Sequence, residues 1–265
     1  MQRRSTKRSE TCRSAPSALS HITLQLFGSM TMEFAWGILF AATCLGGVVG
    51  WIIASVTSQL PVRWNHFMRI EANEYLGFAC DTHPRPPLLI FDKKIGRRSI
   101  LIMFLCVAET TLVITAKGLH PHAFPLLFFA YGVTAAAIVD HEHMILPDGI
   151  VQPLLWAGLL YVAVFAPTDL QWHVFGAAVG YCLLRWLPSV GEGDAKLCAA
   201  VGAWLGLSAL PMLMMVGGGL ALASALIYYM RRGRSSACPL GPPLALAALA
   251  IMDTDMLVLP ASILG

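Results

Sequence analysis

Residues Val139 to Ile150, VDHEHMILPDGI, gather Asp140, His141, Glu142, His143 and Asp148 between two long apolar runs. A second acidic stretch, VGEGDAKL from Val190 to Leu197, adds Glu192, Asp194 and Lys196. Metal binding, proton relay, catalysis and a solvated turn are the chemistries such residues allow. Two aspartates sharing one proton can activate a water and protonate a leaving amine, as in aspartic proteases. Gly191 and Gly193 permit the tight backbone that would aim Asp194 inward. The metal reading is weaker. Neighbouring and i,i+2 positions do not face each other on a helix, so His141, Glu142 and His143 read as a solvated interfacial turn, and no metal is expected. Asp148 follows Pro147 and reads as a cap for the helix after it. Asp194 alone would cap a helix starting at Ala195. Lys196 either tunes Asp194 or snorkels to the interface.

The elements that must position these residues follow from composition. The chain has 265 residues, 57% hydrophobic and 12% charged, against roughly 25% charged in a soluble domain. Several runs approach the ~20 apolar residues that span a bilayer. The expected class is an all-α polytopic integral membrane protein. About eight transmembrane helices are predicted, near 33–56, 99–117, 123–139, 149–166, 171–188, 195–208, 211–230 and 241–262, with Gly217-Gly218-Gly219 a candidate bend in the seventh. The organisation expected is a disordered tail or misannotated start at 1–31, a first transmembrane helix at 32–56, a cytoplasmic polar loop at 57–98 and a membrane domain at 99–265. None of the seven cysteines forms a C-x-x-C pair, so neither a disulfide framework nor a zinc ribbon is indicated.

Charge sets the orientation. The polar loop holds Arg63, Arg69, Arg85, Lys93, Lys94, Arg97 and Arg98; counting helices forward, the same side receives Lys196, Arg185 and the Arg231-Arg232-Gly233-Arg234 cluster, with Lys117 opposite. Basic residues collect on the cytoplasmic side. Both acidic stretches then fall at the cytoplasmic edge, at one membrane depth, where ionisable groups are costly and usually functional. The basic tail at 1–31 lies on the other side in this topology.

The residues also carry a resemblance. Gly191-Glu192-Gly193-Asp194 is a G-x-G-D sequence, similar to the signature of intramembrane aspartyl proteases, and its continuation Ala195-Lys196-Leu197 resembles the bacterial type IV prepilin peptidases. Asp140 followed by Pro147-Asp148 resembles that family's first aspartate. Two further stretches resemble the family, QLPVRWNHFMRIEANEYLG after the first span and PLGPPLALAAL near the end, so that roughly residues 33–250 are covered. The resemblance implies an aspartic endopeptidase with Asp140 and Asp194 as catalytic pair and Gly191, Gly193, Lys196, Pro147 and Asp148 as supporting motif residues. It implies removal of the basic leader of prepilins or pseudopilins at the cytoplasmic face of the bacterial inner membrane. Partners would be those substrates, each with a transmembrane N-terminal helix, and membrane lipid, with no nucleic acid. Proteolysis would need no cofactor.

The family's second activity, N-methylation of the new pilin end with S-adenosylmethionine as donor, often accompanies two C-x-x-C pairs in the loop. Here the loop has only Cys80 with His66 and His83, fewer than the four ligands of structural zinc; no loop zinc is expected, and methylation, with S-adenosylmethionine as its donor if it is retained, is left open. The alternative from another class is a proton- or cation-coupled transporter using Asp140, Asp194 and Glu109 as a relay. It predicts acids spread along the membrane normal and inverted repeats. Glu109, near the middle of the second span, needs a partner or water in either case.

Overall fold

The computed structural model describes residues 37–59, 96–118, 120, 123–187, 190–232 and 238–258. Among these residues there are eight α-helices and no strand. Helix α1 runs Gly37–Gln59, α2 Arg97–Lys117, α3 Ala123–His143, α4 Asp148–Phe165, α5 Leu170–Arg185 and α6 Glu192–Leu205. A 3-10 turn, Leu207–Ala209, leads into α7, Leu210–Arg232, and α8 is Gly241–Val258. Helix is what an apolar solvent demands, because every backbone amide and carbonyl must then be satisfied within its own segment.

Five stretches are long and apolar enough to cross a membrane: α1, Arg97–Ala116, α3, α4 and Leu207–Met230. Helices α5 and α6, with 16 and 14 residues, are about 24 and 21 Å long at 1.5 Å per residue, short of the ~30 Å hydrocarbon layer. The apolar part of α8, Gly241–Met252, is also short. The protein is a multi-pass, all-α membrane protein, with the eight expected spans divided between five full-length helices and three shorter ones. The third helix continues past the expected end at 139, so Asp140 is buried within its last turn. Helix α7 continues unbroken through Gly217-Gly218-Gly219. The tail at 1–31 lies outside the described residues. So does most of the polar loop, with its expected short helix in RIEANEYLG and its Cys80, His66 and His83.

The short α6 forms the centre. It packs on α4 and α5, while α8 packs on α3 and α7, and Leu197 to Trp204 of α6 are all buried. A helix apolar on every side belongs inside. Glycine lets α5 and α6 touch backbone to backbone. A Cβ on Gly176 would lie 2.6 Å from the Gly202 carbonyl oxygen, and one on Gly180 would lie 2.9 Å from that of Cys198. Small residues four apart are how membrane helices approach closely when no hydrophobic drive between them exists. On the α4 side, Trp204 fills the space over Gly158 and donates its indole N–H to the Leu154 carbonyl at 2.8 Å.

Glu109, unexplained by sequence, has an interhelical partner: the Thr134 hydroxyl of α3 donates to its Oε1. One residue on, Thr110 and Tyr131 share a second α2–α3 hydrogen bond at 2.6 Å. Hydroxyl partners of this kind let a carboxyl reside at membrane depth.

Candidate active site

Asp140 sits in the last turn of α3 and is 5% exposed. Its Oδ2 accepts the backbone N–H of Gly241 at 2.7 Å. Gly241 is the first residue of α8, and Pro242 and Pro243 follow it. The first turn of a helix has N–H groups with no intrahelical partner, so proline costs nothing there and Gly241 keeps its donor for the aspartate. The fit also requires glycine: a Cβ at 241 would lie 2.6, 2.8 and 2.9 Å from Oδ2, Cβ and Cγ of Asp140.

Asp194 comes from the opposite side. Helix α6 starts at Glu192 with Gly191 in extended conformation before it, so Asp194 is the third helical residue. Its Oδ1 is buried and has no hydrogen-bond partner among the described residues. Burial first, and then the nearby charge of Asp140, push its carboxyl up to about 6, against a lowering contribution from the Gly191 backbone. Two carboxyls that oppose each other's ionisation lose their protons in separate steps, the second at higher pH than the first. Gly193 has its own reason: a Cβ there would lie 2.7 Å from Leu146 Cβ, so the α3–α4 connection seats Leu146 directly on the G-x-G-D turn.

The remaining motif residues stand apart from this pair. Lys196 Nζ donates to both carboxylate oxygens of Asp148, at 3.0 and 3.1 Å, and pairs with Glu192 at 3.1 Å. Its ammonium is thus engaged by Asp148 and Glu192, and its charge is not turned on Asp194. Asp148 is the first residue of α4, exposed, with Pro147 as the preceding cap position; it ties α4 to α6 and makes no side-chain cap. His141 and His143 are exposed, while Glu142 is bound by Arg98 through two hydrogen bonds, 2.5 and 2.7 Å. Among the described residues no group of three His, Cys, Asp or Glu is placed to hold a metal ion.

A cavity of about 500 Å³ opens between α4 and α5 over α6, lined by Val151, Leu155, Val174, Tyr181, Gln152 and Lys196 among others; neither Asp140 nor Asp194 lines it. Its apolar wall does not fit S-adenosylmethionine, which carries a sulfonium, an amino acid and an adenosine, and no methyl-transfer step follows from it.

Sequence reasoning found both aspartates but not the Gly241 donor, the Leu146–Gly193 contact or the Arg98–Glu142 pair. The glycine before two prolines was the available signal for the first. The other two join positions 47 and 44 apart, which no local pattern reports.

Residues 127–227 match the type IV leader peptidase family, a region that holds both aspartates and ends before Gly241. The chain is 30% identical to the prepilin leader peptidase/N-methyltransferase of Pseudomonas putida, over 84% of this chain and 93% of that protein. It is 32% identical to the protein of that name in Escherichia coli (strain K12), over 60% of this chain and 75% of the relative. With the Neisseria gonorrhoeae protein of that name it shares 37% identity over 44% of each. No solved structure matches. With a buried Asp140 and a half-buried Asp194 at one end of the helix bundle and a relative matched along nearly its whole length, the chain belongs to the type IV leader peptidase family.

Proposed function

We propose that this protein is an aspartic endopeptidase that removes the basic leader of type IV prepilins or pseudopilins, with Asp140 and Asp194 as its catalytic pair. The observation that supports the reading is an Asp140 fixed by the Gly241 amide together with an Asp194 whose buried Oδ1 has no partner among the described residues and whose ionisation the Asp140 charge opposes. One carboxylate of the pair takes a proton from a water as its oxygen adds to the scissile carbonyl. The other donates its proton to the carbonyl oxygen. Collapse of the tetrahedral intermediate breaks the C–N bond, and the amine leaves with a proton from the pair. The raised Asp194 carboxyl, about 6, supports a pair that enters the reaction with one proton.

The substrate class is a single-helix membrane protein cut at the membrane boundary. The basic side of the chain, with Arg98, Arg185 and Lys196 at the same end as the pair, supports a cytoplasmic active site in a bacterial inner membrane. The relatives carry N-methyltransferase in their names, and N-methylation of the new end is proposed beside the cleavage on that similarity alone, with no donor site assigned to the cavity between α4 and α5. The transporter reading has no support: its two best acids lie at one end of the bundle.

The test is cleavage of a prepilin-like substrate by purified protein in nanodiscs. Asp140→Asn and Asp194→Asn are each expected to abolish cleavage and leave the protein folded. Normal cleavage by either variant overturns the assignment. Mass spectrometry of the product's N-terminus decides methylation separately.

A further inference from the structure

The end of α3 that carries Asp140 is held by a clamp the proposed reaction does not use. Arg98, the second residue of α2, binds Glu142 through Nε and Nη2, at 2.5 and 2.7 Å. The same guanidinium donates from Nη1 to the Ala54 carbonyl at 3.0 Å and from Nη2 to the Thr57 hydroxyl at 2.9 Å. One side chain therefore joins α1, α2 and the last turn of α3. Glu142 lies two residues after Asp140, within the same turn.

That turn has need of a clamp. Last turns of helices lack onward hydrogen bonds and fray. Here the turn closes by the Met144 N–H on the Asp140 carbonyl at 2.8 Å, and Met144 takes a φ of 53°. A left-handed backbone at a residue with a Cβ is strained, and it persists only where its surroundings fix it. The bidentate arginine is suited to such work, since its planar fork sets direction as well as distance.

We infer that Arg98, acting through Glu142, is a positioning residue for Asp140: it holds the last turn of α3 so that the carboxyl meets both the Gly241 amide and Asp194. The inference rests on the proposed aspartic cleavage, because it concerns the geometry of that pair. Arg98 touches neither aspartate, so its loss should misplace Asp140 without altering substrate binding.

The experiment uses the full chain in nanodiscs and a prepilin-like substrate with its transmembrane helix, with kcat and KM determined separately. Arg98→Ala and Glu142→Gln are expected to lower kcat roughly tenfold to a hundredfold, the scale of a displacement near 1 Å, with KM unchanged. Arg98→Lys, which keeps the charge without the fork, should recover part of the loss. The exchanged pair Arg98→Glu with Glu142→Arg should exceed either single reversal. Wild-type kcat in both Arg98→Ala and Glu142→Gln, or a loss confined to KM, overturns the inference. If Arg98→Ala fails to fold, Glu142→Gln, nearly the same shape, decides alone. Asp194→Ala in the same assay separates the two claims: if it still cleaves, the proteolytic reading fails and this one with it; if it is inactive, the Arg98 and Glu142 variants judge the clamp.

Discussion

Replacing Gly241 with alanine tests the site with a single methyl group. The added Cβ would lie 2.6 Å from Asp140 Oδ2, where an ordinary contact begins at 3.4 Å, so the carboxylate must retreat by about 0.8 Å. A hydrogen bond of 2.7 Å stretched by that amount reaches about 3.5 Å and ceases to be one. Backbone retreat is resisted, because the neighbouring Leu244, Ala245, Ala247 and Ala248 of α8 are buried in the core. Overpacking of a buried position costs about 1–3 kcal/mol. A displacement near 1 Å in a reacting group costs about 10² in rate, or about 2.7 kcal/mol on the barrier. The expected result is therefore a kcat about a hundredfold lower, measured by single-turnover cleavage in nanodiscs, with a modest fall in thermal midpoint. Gly219→Ala is the control, since a Cβ there meets nothing within 4 Å, and it should cleave normally. Wild-type kcat for Gly241→Ala would refute the reasoning, because it would mean that the start of α8 can move without disturbing Asp140.

Two further outcomes follow from the same contacts. The folded protein holds the Asp194 proton up to about pH 6, against an ordinary 3.8, so native stability falls as pH rises from about 4 through 6; Asp194→Asn should therefore gain in thermal midpoint over the wild type across that window, and a constant difference from pH 4 to 8 would count against the buried carboxyl. Gly202→Ala places a methyl into the Gly176 backbone of α5, so its thermal midpoint should fall sharply, by about 1–3 kcal/mol of stability, while Gly47→Ala, in open space, leaves it unchanged.

How far the sequence could be read depended on whether a partner was local. Helix ends were legible within a few residues because apolar length and turn residues are written along the chain. The two aspartates were legible because glycines and a proline mark the turns that present them. Lys196 was not: next to Asp194 in sequence, it lies two residues on, about 200° around the helix, and so meets Asp148 of α4 and not Asp194. Glu142 is exposed, as a solvated turn requires, but its partner Arg98 lies 44 residues away and left no local mark. Glu109 looked isolated for the same reason, with Thr134 supplied only when α2 and α3 pack. Gly241 was visible within a motif, but a backbone amide leaves no mark of what it will bind.

The division of charges at this end of the bundle has a chemical logic. A cation beside Asp194 would favour its ionised form and strip the proton the pair needs. Lys196 is the nearest basic residue in sequence, yet Asp148 and Glu192, both exposed, hold its ammonium between them. Arg98 is occupied in the same way by Glu142, Ala54 and Thr57. The carboxylates that surround the pair thus keep both cations engaged at the rim, while Asp140 takes a neutral donor, the amide of Gly241. Asp194 is left with burial and a like charge as its dominant influences, and both act to keep one proton in the site. Two aspartates in water would lose their protons near pH 4; here burial and the like charge of Asp140 raise the Asp194 carboxyl to about 6.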